Sequence, residues 1–481
     1  MQNKIFQIIF SRKQEFVLAI LICIYILYFT TASFLRYDNF YTGRFDLGNM
    51  DQTVWNTING RIFQASTGDG SIISRLSAHA DFMLILLAPF YLIWPHPKML
   101  LFIQSVVLSI GAIFVFLIAK EILKNKNLAL TFGFLFLMNP SLQFTNLYDF
   151  HPVTIATTTL LASFYFFLKK KYSLLVLFLI LSGLAKEQIW IIASIFGLFL
   201  LFMTKKTKIL GIGIIFFSLI IFGYLIWNAI PKNAGGQHFA LSYYSSFGNS
   251  PGQIIKNLLL SPQKIISTIL EGGRLEYLKQ VFMPLGFVSL LSPMYLILAI
   301  PDLLINLLSN NTQLHQIYYQ YSATITPFIF ASSIYGVKQF IKWFPKIPKI
   351  YIIIYLLIFT CLSAYLSGPL PGSRNSNFDM FTKPQEEKQT IENFLSRIPA
   401  KYSIAATNNL GSHLSHRQKV STIPVGIENA DVVIFLLNDR FAKPSLKGQA
   451  EMVNKMRHDR NYVQVFRIGD FVAFKKRGYL L

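Results

Sequence analysis

The sequence predicts a mainly α-helical, polytopic membrane protein of about eleven transmembrane helices, with a small α/β domain at its C-terminal end. Three observations predict this. Of 481 residues, 53% are hydrophobic and 14% charged, against the roughly 25% charge of soluble domains. The apolar residues fall into runs near the ~20 residues that a bilayer core requires, with basic residues gathered between them. After Gly368-Pro369 the pattern changes: residues 370–481 hold 17 basic and 10 acidic residues around short alternating runs. Together these exclude a soluble enzyme over most of the length, and a disordered chain as well.

The candidate spans are 15–35, 97–120, 128–146, 152–168, 172–185, 187–203, 208–229, 281–297, 298–316, 319–338 and 350–368. Pro301, Asp302 and Asn306 interrupt the run 298–316, and 172–185 is short. The first run follows Lys4, Arg12 and Lys13 and is too long for a signal peptide's apolar region. No small-residue cleavage site follows it, so it reads as a retained signal anchor. Five basic clusters set the orientation: Lys4/Arg12/Lys13, Lys120/Lys124/Lys126, Lys169–Lys171, Lys205/Lys206/Lys208 and Lys338/Lys342/Lys346/Lys349. With all five and the N-terminus cytoplasmic in the cell membrane, 36–96, 146–151, the Lys186–Glu187 region, 230–280 and everything after 368 face outward. The scheme closes only if the apolar stretch 80–95 lies on or re-enters the outer surface. The excess of 44 Lys and Arg over 22 Asp and Glu is therefore a membrane pattern, and a nucleic-acid partner is not expected. Cys23 and Cys361 lie inside apolar runs and form neither a disulfide framework nor a metal motif.

The chain thus divides into a transmembrane domain, 1–369, with outer loops 36–96 and 230–280, and a soluble extracytoplasmic α/β domain, 370–481. In the latter, Tyr402–Thr407, Val432–Leu437, Tyr462–Ile468 and Phe471–Lys475 alternate like strands, while Pro384–Arg397 and Lys447–His458 read as helices.

Ionisable residues beside apolar spans are costly and mark candidate sites. Asp46 and Asp51, in Arg44–Trp55 just outside the first span, can bind a cation, act as a base or cap a helix. His79-Ala80-Asp81 enters the surface helix as metal ligands, a proton-transfer pair or a helix start. Tyr148-Asp149-Phe150-His151-Pro152 lies between two spans; Pro152 suits a helix first turn and Asp149 can favour that N-terminus. Three carboxylate or histidine loops on one leaflet are less simply explained by three caps. Lys186-Glu187-Gln188 is either a self-neutralising pair or, through Lys186, a contact for an anionic phosphate. His315 and Tyr318–Tyr321 are either an interfacial aromatic belt or the lining of a head-group or sugar site. No phosphate-binding glycine loop, dinucleotide turn, H-E-x-x-H or G-x-S-x-G occurs, which argues against common ATP-driven pumps and membrane zinc proteases.

Phe45-Asp46-Leu47-Gly48 with Asp51-Gln52 and Trp55, His79 followed by Leu86–Tyr91, Gln104, Gly111-Ala112, and Asp149-Phe150-His151-Pro152 together resemble the DUF2079 family of predicted membrane proteins. The resemblance continues through Lys186-Glu187, Ile300-Pro301, Asn306–Ser309, His315–Pro327 and His413-Leu414-Ser415-His416-Arg417; Gln188 departs from it, standing where an acidic residue is expected. The layout is in turn similar to the GT-C glycosyltransferases, with Asp46 in the first outer loop, 80–95 as the surface helix and Asp149 as the second acidic position. That likeness implies a membrane glycosyltransferase, inverting, that moves a sugar from a polyprenyl-phosphate donor to a glycan, lipid or protein acceptor of the envelope. Under it, Asp46, Asp149 and His79 are the expected catalytic residues. Asp51, His151, Lys186, Glu187, Arg274, His315 and Tyr319 are expected to bind substrate, and Asp46 and Asp149 are the candidate ligands of a divalent cation, Mg or Mn. The alternative is a transporter or flippase of a lipid-linked or anionic substrate, but charges grouped at one rim and the lack of an internal repeat favour the enzyme. A third reading is a non-catalytic envelope-assembly protein.

Overall fold

The computed structural model describes residues 12–439 and 442–479; Lys4 of the first basic cluster lies outside them. The longest helices are apolar all round. In Lys13–Asp38, Leu18, Ile22, Tyr25, Phe29 and Ala32 form the buried face, whereas Phe16, Ile20, Ile24 and Leu27 are exposed on the other. The helix Lys205–Tyr224 likewise exposes Ile209, Ile212, Phe216, Phe217 and Ile220. Such a helix is at rest only in lipid. Among the described residues, four helices are long and apolar enough to cross a membrane: Lys13–Asp38, Pro97–Leu123, Lys205–Ala234 and Lys349–Ser367. Lys126–Leu137 and Pro140–Leu147 are apolar enough to cross together but are bent by 42° at their junction, as in a broken span or a re-entrant loop, and Pro140 removes a backbone donor there. Pro152–Leu168, Tyr172–Gly183 and Ile189–Met203 are apolar but shorter.

Close helix contact depends on glycine at one hairpin. A Cβ on Gly197 would meet the Gly211 carbonyl oxygen at 2.8 Å, so the helices Ile189–Met203 and Lys205–Tyr224 touch backbone to backbone, as small residues allow in lipid.

The stretches 281–297 and 298–316 are not the continuous spanning helices that hydropathy suggests. They consist of short turns, Met283–Leu285, Val288–Leu291 and Pro293–Leu298, followed by the eight-residue helix Ile300–Leu307. Prolines 284, 293 and 301 and the left-handed residues Gly286 and Phe287 break the run. Irregular backbone in an apolar core needs partners, and neighbouring helices supply them. Tyr355 donates to Gly286 O (2.8 Å), Thr360 to Pro284 O (2.6 Å) and Ser332 to Ser289 O (2.9 Å).

At the C-terminal end, five strands form one mixed sheet in the order β4-β3-β5-β7-β6: β3 (Ile404–Ala406), β4 (Val420–Thr422), β5 (Val432–Leu436), β6 (Tyr462–Ile468) and β7 (Phe471–Lys476). The pairs β3–β4 and β3–β5 are parallel; β5–β7 and β6–β7 are antiparallel. Side-chain alternation sorts the core by parity. Ile404, Val432, Ile434 and Phe471 pack with Ile391 and Leu395 of the helix Lys388–Arg397. Ala405, Val433, Phe435 and Val472 pack with Val453 and Met456 of Leu446–His458. Phe40, from the chain just after the first helix, completes the first of these cores.

Candidate active site

The loop that follows the helix Lys13–Asp38 is built around a buried arginine. A tight π-helical turn, Arg44–Gly48, runs into the helix Asn49–Ile58. Arg44 donates to Gln52 Oε1 (2.9 Å), Ser66 O (2.9 Å), Ser66 Oγ (2.8 Å) and Asn49 Oδ1. Ser66 opens onto the hairpin of β1 (Gln64–Ser66) and β2 (Ile72–Ser74). The C-terminal domain grips the same turn: Asn408 Oδ1 accepts from the Arg44 amide (2.9 Å). Gly411 fits because it lacks a side chain; a Cβ there would lie 2.1 Å from Arg44 Cβ.

Asp46 stands on this fixed turn with its side chain 31% exposed. Its Oδ2 accepts from the Tyr148 hydroxyl at 2.9 Å, and its Oδ1 lies 3.1 Å from His151 Nε2. His151 Nδ1 faces the Asp149 carbonyl oxygen at 2.9 Å, so that nitrogen carries a proton. Burial alone would raise the Asp46 pKa; the His151 bond and charge and the Tyr148 hydroxyl outweigh it and hold Asp46 below the ordinary carboxylate range. Asp149 is buried, accepts from the Gly43 amide at 2.7 Å and lies 3.8 Å from Arg36. Burial, then the Asp46 charge, push its pKa up to about 6. The two carboxyl groups are thus pushed apart in proton affinity by their surroundings.

Neither aspartate is a helix cap. No side chain caps the turn Arg44–Gly48 or the helix Pro152–Leu168; both carboxylates face groups from other parts of the chain. Hydrogen-bond donors and the Arg36 and His151 side chains face the oxygens of both carboxylates.

Tyr148 stacks on His151 (5.5 Å between centroids) and meets Tyr319 edge-on at 5.0 Å. Asp46, Asp149, His151 and Tyr319 therefore come together. Tyr148, given no role in the sequence reading, joins them; its position next to Asp149 was the available signal.

A second group forms nearby. Glu187 Oε1 lies 2.9 Å from His79 Nδ1 and 3.6 Å from His238 Nε2, and Glu187 Oε2 accepts from the Ala80 amide at 3.1 Å. His238 was not anticipated; a histidine in the stretch 230–280 was its only trace in sequence. Lys186 Nζ sits 5.7 Å above the Tyr321 ring and makes no ion pair among the described residues. Arg75, paired with Asp81 at 2.8 Å, lies close enough for its charge to act on both Asp46 and His79.

The remaining expected residues lie elsewhere or are otherwise engaged. Asp51 is fully buried and bonded by Tyr91 and Ser415, with His416 Nε2 at 3.1 Å; no surface of it is left for substrate. The Arg274 guanidinium donates to the backbone carbonyls of Leu307 (2.6 Å), Ser309 (3.0 Å) and Glu271 (3.2 Å). His315 is buried, with Nε2 unpartnered.

No curated protein matches the chain in sequence. Among solved structures it is similar to ArnT from Cupriavidus metallidurans bound to undecaprenyl phosphate, with a TM-score of 0.51 at 10% identity over 94% of this chain and 97% of that one. The fold is accordingly of the GT-C type, ArnT-like. The DUF2079 profile, described as a predicted membrane protein, matches residues 36–467, and the chain belongs to that family.

Proposed function

We propose that this protein is a GT-C-type glycosyltransferase that takes a sugar from a polyprenyl-phosphate donor and transfers it, with inversion, to an envelope acceptor on the outer face of the cell membrane. The observation that carries the reading is Asp46. It is a partly exposed carboxylate on a braced turn, oriented through both oxygens by His151 and Tyr148, in a chain whose ArnT-like fold is shared with a protein bound to undecaprenyl phosphate.

In this mechanism Asp46 accepts the proton of the acceptor hydroxyl as that oxygen attacks the anomeric carbon and the sugar–phosphate bond breaks. His151 and Tyr148 hold the carboxylate in one rotamer, which is the positional part of the rate gain. Lys186, which makes no ion pair among the described residues, neutralises the departing lipid phosphate. The Tyr148–Tyr319 pair supplies the aromatic wall against which a sugar ring packs. Residues 370–481 sit outside the cell and hold the Asp46 turn in place.

The test is a transfer assay with purified protein in lipid, offered a panel of polyprenyl-phosphate sugars, with Asp46→Asn beside the parent. Donor turnover that disappears in the folded variant is the expected result. Turnover unchanged by Asp46→Asn overturns the mechanism, and movement of the lipid-linked substrate between leaflets without transfer overturns the enzyme reading in favour of a transporter.

A further inference from the structure

We propose that His79, Glu187 and His238 form a binding site for a single zinc-class divalent cation, separate from the Asp46–Asp149 pair. One ligand atom from each of the three lies within 4.8 Å of the other two. The separations along the cluster, 2.9 Å from His79 Nδ1 to Glu187 Oε1 and 3.6 Å from there to His238 Nε2, bracket the ~3.3 Å expected between neighbouring ligands of a tetrahedral zinc. The side chains of Glu187 and His238 are almost fully buried and that of His79 is 21% exposed. Phe239 closes the cluster, its ring 4.8 Å from His238 and 5.4 Å from His79.

The second, independent observation is His238 Nε2. It is buried, points at Glu187, and has no hydrogen-bond partner, 3.6 Å being too long for one. A buried nitrogen left in this way is costly, and a bound cation is what would satisfy it. Two imidazoles and one carboxylate form a borderline nitrogen–oxygen set, which suits zinc better than magnesium or calcium. Three protein ligands leave the fourth position to water.

Binding has a local consequence. His238 Nδ1 accepts from the Ala240 amide at 3.1 Å, so the neutral ring keeps its proton on Nε2 when no metal is bound. A cation at Nε2 moves that proton to Nδ1 and releases the Ala240 amide, so the turn Phe239–Tyr244 rearranges on loading. Glu187 is fixed independently by the Ala80 amide (3.1 Å), which anchors the site to the entrance of the surface helix. Lys186 and Arg75 are the nearby cations; Arg75 is neutralised by Asp81.

The site does not depend on the glycosyl-transfer reading, and its test reads metal rather than activity. Full-length protein purified in lipid is incubated with Zn2+, desalted and analysed for metal content, and Co2+ is titrated into chelator-stripped protein as an optical probe. About one zinc per chain, a tetrahedral Co2+ spectrum, and a melting temperature that falls on stripping and recovers with Zn2+ are expected. His238→Ala and Glu187→Gln should each weaken binding by at least tenfold, while His458→Ala, on the far domain, should bind as the parent does. Zinc absent from the desalted parent overturns the proposal, and so does zinc retained at parental affinity by a His238→Ala protein with parental elution and a cooperative melt.

Discussion

Asp46 and Asp51 lie five residues apart on one short stretch of chain, yet their surroundings have little in common. Asp46 is partly open, and the groups that orient it, Tyr148 and His151, come from the membrane domain. Asp51 is closed off and takes its bonds from Tyr91 of the turn Ala88–Leu92 and from Ser415 and His416 of the C-terminal domain. The difference follows from helix geometry, since residues five apart fall on different faces. One face of the Arg44–Ile58 stretch meets the loop beside Pro152, and the other meets the 408–417 loop. The same few residues thus present one carboxylate for chemistry and use the other to dock a domain.

The comparison breaks most directly at Asp46. Asp46→Asn keeps the shape and the Tyr148 bond but cannot take up a proton, so transfer should fall by about 10³-fold while the protein still melts as one cooperative, folded species. Asp51→Ala should do the reverse. It leaves Tyr91, Ser415 and His416 without their acceptor inside the fold, a loss of about 3 kcal/mol, seen as a lower melting temperature and faster proteolysis of residues 370–481. A variant in which Asp51→Ala abolishes turnover while the melt is unchanged would make the two carboxylates equivalent and sink the comparison.

Gly411→Ala sharpens the point by attacking the link between the two regions. Its Cβ would collide with Arg44 Cβ, and a displaced Arg44 turn carries Asp46 with it. A shift of about 1 Å in a reacting group costs roughly 10²-fold in rate. A C-terminal domain that served only as a tether would leave turnover as it was.

How far these regions were legible in the sequence differs in an instructive way. Apolar runs, basic clusters and the change in pattern after Gly368-Pro369 reported the helical body and the α/β end, because hydrophobicity and period are local properties. Strand β6 falls on Tyr462–Ile468 as the alternation suggests, whereas β4, three residues long and held by Ser66 and Gly68 of the first loop, carries no local signal. The broken stretch after Phe282 is apolar enough to span, and in sequence only Pro301, Asp302 and Asn306 interrupt its second half. Asp46, Asp149 and His151 were visible as expensive polar residues beside spans. Asp51 resembled them in sequence, and only the domain packed over it distinguishes its role. His238 required a contact across 51 positions from Glu187, which no periodicity records.

Asp149 offers a subtler test. Its pKa is raised from an ordinary value of 3.8 to about 6 by burial and by the Asp46 charge. A carboxyl group that holds its proton more tightly when folded favours the folded state fully below about pH 4, and this contribution is lost as the pH rises to about 6. Asp149→Asn, which still accepts from the Gly43 amide, should melt well above the parent at pH 7.5 and by a smaller margin at pH 5, meeting it only below about pH 4. Its rate profile should also lose any inflection near pH 6 that the parent shows. An unchanged profile would mean that Asp149 does not exchange its proton in the turnover cycle.

The smallest effect belongs to the docking side. Burial by itself lowers the pKa of His416, but the Asp51 charge and bond more than reverse this, and the net shift is upward. A histidine whose folded pKa is raised stabilises the fold fully below its unfolded value of about 6.5, and the contribution fades as the pH climbs through the higher folded value. His416→Gln should therefore melt ~2 °C below the parent at pH 6 and converge with it in alkali, while donor turnover at pH 6 stays within twofold. The window separates the two carboxylates: Asp149 acts between about pH 4 and 6, whereas the Asp51–His416 contact weakens only above that range. A His416→Gln deficit of equal size at pH 6 and pH 9 would show that packing against Trp55, 5.7 Å away and stacked on the imidazole, holds the domains together rather than charge.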